Sequence, residues 1–242
     1  GTLVLRTDRA DALNYMMRSE AVLGSQAKMT LHYFWSNLYA LVFVIFCLLC
    51  AAGLGVLLGS MHGIFDAGFR HQACIMIGLI LDAGVWILTD SELLVLATDK
   101  ASLVAFCSLV SFGLTAPLTL EFVRCTLREE CDSLRWPQAV MFVLLAVDAL
   151  GWILADKDMF WLLIPIHLTI VVSIVMAFRG LLKAYRKNQS SEARDILRAF
   201  GVLAVSVLLS LLLFYRDHVG RQYALFYCLG LLGFLLLLGR II

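Results

Sequence analysis

Asp82, Asp148 and His167 each stand inside a long, otherwise apolar run. An ionisable group in such a place is costly in lipid and usually marks a binding position, a proton path or a pair. Two of the three belong to a repeat. The nine residues Asp82–Asp90 recur as Asp148–Asp156 and are identical at six of nine positions: Asp, Ala, Trp, Ile, Leu and Asp. A spacing of four puts Asp82, Trp86 and Asp90 on one helix face, and Asp148, Trp152 and Asp156 on another. Two origins fit the repeat. A helix pair could have been duplicated, or two helices that end at the same interface could have converged on a Trp and a terminal acid. Eight residues of helix set Asp82 and Asp148 about 12 Å deeper than the terminal acids, and His167 falls at a similar depth. Asp82, Trp86, Asp148, Trp152 and His167 therefore form a candidate site for a cationic or hydroxylated small-molecule ligand. The competing explanation is interhelical hydrogen bonding, worth about 1–2 kcal/mol per contact.

The remaining reactive groups point to little chemistry. Of seven cysteines, most lie in apolar runs where they act as small hydrophobes, so no disulfide framework is expected. Cys47 and Cys50 have redox spacing but stand in a lipid-facing run without polar neighbours. His32, His62, His71, His167 and His218 are dispersed, and no zinc spacing, phosphate loop or nucleophile with its base is present. No catalytic residue, metal ligand or cofactor is expected. Glu121, Arg124 and Arg128 are spaced to pair with one another at a solvated helix end. A net charge of +1 offers nothing to a nucleic acid.

The elements that must position these residues are transmembrane helices. With 62% hydrophobic and 15% charged residues among 242, and a mean hydropathy of +0.90, lipid is the natural solvent for most of the chain. Seven spans are predicted, at about 38–59, 71–89, 101–123, 137–155, 159–181, 197–215 and 221–240, giving an all-α seven-helix membrane bundle over residues 35–242. The connections after spans one, three and five hold ten Lys and Arg: Arg70, Arg124, Arg128, Arg135, Arg179, Lys183, Arg186, Lys187, Arg194 and Arg198. Those after spans two, four and six hold Lys100, Lys157, Arg216 and Arg221. Basic loops stay in the cytoplasm, so the N-terminus is expected outside and the C-terminus inside. Pro117 and Pro165 are expected to kink spans three and five, and Gly53, Gly55 and Gly59 to admit close helix contact in span one.

Residues 1–34 mix charged and apolar side chains and cannot bury a core alone. They read as the end of an extracytoplasmic domain and its linker, with Tyr33 and Trp35 at the membrane interface. Arg240 to Ile242 read as a helix emerging toward a cytoplasmic segment.

The stretch Gly84-Val85-Trp86-Ile87-Leu88-Thr89-Asp90-Ser91-Glu92-Leu93-Leu94 resembles the WxLxxSxLL stretch of bacterial seven-transmembrane receptors with diverse intracellular signalling modules. Val22-Leu23-Gly24-Ser25 is similar to the segment leaving that family's outer domain, and Leu114-Thr115-Ala116-Pro117-Leu118 to its third span. The resemblance implies a sensor of the bacterial plasma membrane. Its output would follow span seven, often as a GGDEF diguanylate cyclase, and it would act as a homodimer because cyclase halves must meet. It transfers no residue-level binding motif. Among other classes, a retinal protein would need a Lys in span seven, and Gln222–Gly239 has none. A small-molecule or ion transporter and an integral-membrane enzyme stay as alternatives, the latter resting only on Asp82, Asp148 and His167.

The orientation has a direct check. A cysteine placed at Asn188 should resist an impermeant thiol reagent in intact cells while one at Asp158 reacts, and reversed labelling would overturn the assignment.

Overall fold

The computed structural model describes residues 28, 31, 34–60, 66–91, 93–94, 98, 100–127, 134–155, 161–188, 191–216 and 222–238. Expectations for most of residues 1–34, for Glu92, Asp99, Arg128, Cys131 and His218, for the 156–160 connection with Asp156, and for 239–242 lie outside them. Seven long helices account for nearly all of the described chain: α1 (Leu38–Ser60), α2 (Ala67–Asp90), α3 (Ala101–Leu127), α4 (Arg135–Ala155), α5 (Leu163–Asn188), α6 (Ser191–Arg216) and α7 (Gln222–Leu238). No strand occurs among the described residues. Helices α1 to α6 are each long and apolar enough to cross a bilayer. Helix α7 is uncharged but has 17 residues, about 25 Å against a hydrocarbon core of about 30 Å. Large apolar side chains such as Leu49, Val56, Leu154 and Ile164 face outward. A perimeter of that kind belongs in lipid, and the chain is a multi-pass helical membrane protein.

Several helices outrun their apolar runs because their polar ends also favour helix. Helix α2 starts at Ala67, where the Asp66 carboxylate caps it by accepting from the Phe69 N–H at 2.8 Å. Helix α5 carries Arg186 and Lys187 in its last turn and spans about 39 Å, well beyond the hydrocarbon core. Basic side chains are favourable at that end of a helix.

Helix α3 is the spine. Half of its apolar span is buried, against 11% of α1's, and it packs on α2, α4 and α5. One core cluster joins α1, α2 and α7 with Ala199 and Leu203 of α6, and Phe122 of α3 enters it to meet Phe234 edge-on at 5.8 Å. A second joins α3, α4 and α5, and a third joins α3, α5 and α6 near Leu134. The tightest pair is α6 with α7, where the Ser210 hydroxyl reaches the Tyr223 carbonyl at 2.8 Å.

Three expectations change. Pro165 sits in the first turn of α5, where its missing N–H costs nothing, so it does not interrupt that helix. Pro117, by contrast, lies inside α3, where a proline removes an i→i−4 hydrogen bond, and the helix runs on past it on both sides. A Cβ added to Gly53, Gly55 or Gly59 would meet nothing within 4 Å, so these glycines mediate no close contact among the described residues. The close approaches fall elsewhere: among them are Gly84, whose Cβ would stand 3.3 Å from Cys47, Gly113, whose Cβ would overlap the Leu145 side chain across the α3–α4 contact, and Gly230, whose Cβ would overlap the Ser206 side chain across the α6–α7 seam. Cys47 is accordingly buried against α2 rather than lipid-facing.

Gly230→Ala should therefore destabilise the protein in detergent by about 1–3 kcal/mol through overpacking. Gly53→Ala should be neutral or stabilising in the same thermal unfolding measurement.

Candidate functional site

Each residue of the α2 stripe has a partner on α3 or α7. Thr115 of α3 donates its hydroxyl to Asp82 Oδ2 at 3.0 Å and also lies 3.2 Å from the Ser111 carbonyl, so one proton serves both acceptors. Trp86 packs against Phe112 at 5.2 Å and meets Tyr227 edge-on at 4.6 Å. Tyr223 donates to the Asp90 carboxylate, with oxygen separations of 3.0 and 3.2 Å.

The α4 stripe has a different setting. Asp148 is buried, and Trp152 stacks on Phe106 of α3 at 4.9 Å. Phe106 and Thr115 are nine residues apart, which is about 180° around a helix. The two copies of the repeat thus hold α3 from opposite sides, and Asp148 and Trp152 do not share the surroundings of Asp82 and Trp86.

His167 of α5 is buried among rings. Its Nδ1 is 2.7 Å from the Tyr215 hydroxyl, and Phe112, Phe214 and Tyr215 all meet it edge-on at 5.3–5.4 Å. It joins Trp86, Asp90, Phe112, Tyr223 and Tyr227 in lining a cavity of about 40 Å³. A second cavity of about 50 Å³ lies deeper, lined by Thr115, Thr119, Ser173, Phe200 and Tyr227 among others. Phe112, Val207 and Tyr227 border both. Each cavity has room for about three waters.

Among the described residues, two hydroxyls in these walls have no hydrogen-bond partner. Tyr227 Oη lies beside Thr115 and Asp82 without reaching hydrogen-bonding geometry, and Ser173 Oγ is likewise unsatisfied. Both residues are 3% exposed. Leaving a buried polar group unpaired costs about 1–3 kcal/mol, so such groups call for a bound water or ligand. Hydroxyls, an imidazole and aromatic faces suit a small polar or cationic molecule.

Of the five sequence-derived candidates, Trp86 and His167 share the first cavity, and Asp82 lines neither but accepts from Thr115, which lines the second. Asp148 and Trp152 line neither. Sequence reasoning overlooked Tyr227, Tyr223, Thr115 and Ser173. The four-residue spacing of Tyr223 and Tyr227 in an otherwise apolar helix was a readable signal, since it places both hydroxyls on one face. Single Ser and Thr residues in spans carry no such signal, because they can satisfy themselves on their own helix, as Thr119 does on the Thr115 carbonyl at 2.7 Å.

Comparisons of the chain with protein-family models, with curated proteins and with solved structures give no match.

The Thr115–Asp82 contact separates hydrogen bonding from charge. Asn at position 82 retains an oxygen that accepts from Thr115, so Asp82→Asn should change unfolding stability in detergent by less than about 0.5 kcal/mol, whereas Thr115→Val should cost about 1 kcal/mol. Equal losses in both variants would show that the carboxylate charge itself is structural.

Proposed function

We propose that this chain is the membrane-embedded sensor part of a bacterial receptor. It crosses the plasma membrane seven times with its N-terminus outside, binds a small polar or cationic ligand between its helices, and passes the change to a cytoplasmic output. The observation that carries this reading is the pair of adjoining cavities with the unpartnered Tyr227 and Ser173 hydroxyls, set where α2, α3, α5, α6 and α7 meet. Cavities of about 40 and 50 Å³ hold a few waters as they stand. A larger ligand fits only if the helices part, and a ligand that favours the parted arrangement shifts the population toward it. The bundle then reports binding through the positions of its helix ends. The ten-to-four excess of Lys and Arg in the odd-numbered connections supports the orientation. The resemblance of the Trp86–Leu94 stretch supports the receptor class, with cyclic di-GMP synthesis by a dimeric GGDEF module as the output it implies.

Transport is the other reading that an internal polar cavity favours, and one experiment separates the two. In cells producing the full-length protein, Tyr227→Phe and Ser173→Ala each remove one hydroxyl with little change of shape. On the sensor reading, these variants shift cyclic di-GMP by about fivefold or more, the scale of a typical coupling energy, with unchanged abundance in the membrane. Unchanged output in both variants and in their combination would overturn the reading.

A further inference from the structure

We propose that His71, Glu121 and Cys125 form a binding site for zinc or a similar soft divalent cation, at the end of the bundle where α2 begins and α3 finishes. It is independent of the sensor reading, and none of the three residues lines either cavity. Glu121 and Cys125 are four residues apart on α3 and share a face. Antiparallel packing brings the first turns of α2 alongside, and Gln72 Nε2 donates to Thr126 Oγ1 at 2.7 Å to set the register of the two helices there.

The three donor atoms lie within 4.8 Å of one another. Cys125 Sγ is 3.6 Å and His71 Nε2 3.8 Å from the same oxygen, Glu121 Oε1. Zinc bond lengths in a tetrahedral arrangement call for sulfur-to-oxygen and nitrogen-to-oxygen separations of about 3.6 and 3.4 Å. The first separation already has that value. The second, and the sulfur-to-nitrogen separation of up to 4.8 Å where about 3.6 Å is needed, require an inward movement of His71, whose side chain is 62% exposed and free to make it.

The carboxylate is also supported from behind. Glu121 Oε2 accepts from Arg124 Nε at 2.8 Å and from Gln138 Nε2 of α4 at 3.1 Å, and Gln138 also donates to the Pro117 carbonyl at 3.0 Å. Such outer contacts orient a ligating carboxylate. Arg124 donates to Oε1 through Nη2 as well. A carboxylate oxygen has two lone pairs, which leaves the second for a metal. A nitrogen, a sulfur and an oxygen donor favour zinc over magnesium or calcium, and three protein ligands leave the fourth position to water. Binding converts the Cys125 thiol to a metal-bound thiolate and releases its proton to solvent, while the neutral imidazole and the carboxylate donate lone pairs. The thiolate and carboxylate balance the two positive charges of the ion. Occupancy would tie α2 to α3 beside α4.

The test uses the purified chain in detergent, stripped with a chelator and titrated with cobalt(II) and then zinc. Wild type should show a thiolate-to-cobalt charge-transfer band that zinc abolishes. Cys125→Ser should lose the band, and His71→Gln should weaken binding by about tenfold or more. Because His71 is exposed, the His71→Gln variant should melt like wild type without metal. Cys74→Ser, which replaces the exposed cysteine one turn along α2 from His71, should keep the band. Absence of the band in wild type, its survival in Cys125→Ser, unaltered affinity in His71→Gln, or its loss in Cys74→Ser would overturn the proposal.

Discussion

A polar side chain that enters the apolar interior of this bundle has to find its partner on its own or a neighbouring helix, because lipid supplies none. Helix α3 is where many of those partners stand. Thr115 serves Asp82 of α2, Glu121 serves Gln138 of α4, and Thr126 serves Gln72 of α2. Phe106 and Phe112 receive the Trp152 and Trp86 rings on different sides. The rest of the arrangement follows from that demand on one helix. A spine that offers polar groups on several faces must be surrounded, and α3 is the most buried of the spans.

The outer helices show the converse. Helix α1 has no charged side chain and buries little, so its contribution is a lipid-facing wall set against α2 through Cys47 and Gly84. Helices α6 and α7 approach closely because Gly230 leaves room for Ser206. With small residues at the seam, dispersion contacts accumulate without a hydrophobic driving force between helices. The same close pair carries Tyr223 and Tyr227 inward. Tyr223 finds Asp90, while Tyr227 comes to rest beside two cavities with its hydroxyl unsatisfied. The position of the candidate site is thus a consequence of the α6–α7 seam as much as of the α2 stripe.

The repeat shows how far local sequence carries. Identical Asp and Trp spacing on α2 and α4 gives identical faces. One copy meets Thr115, Phe112 and Tyr227, whereas the Trp of the other meets Phe106 across the spine. Helical periodicity determines which residues share a face, and the neighbouring helix determines what that face touches. A site gathered from both copies was therefore a reasonable reading of the sequence that the packing does not assemble.

The helical class, the membrane environment and the costly positions of Asp82, Asp148 and His167 were all legible in the sequence. Each depends on local quantities, namely the length of an apolar run, the rise per residue and the cost of an ionisable group in lipid. The helix ends were less legible, because basic and polar residues continue a helix beyond the lipid, as at the end of α5. Packing alone decided that Gly230, Gly113 and Gly84 are among the close contacts while Gly53, Gly55 and Gly59 are not, that Trp86 and His167 share a cavity, and that His71 meets Glu121 and Cys125. The reason is sequence separation. His71 and Glu121 lie on different helices fifty residues apart, and no periodicity within either helix encodes which face its neighbour will present.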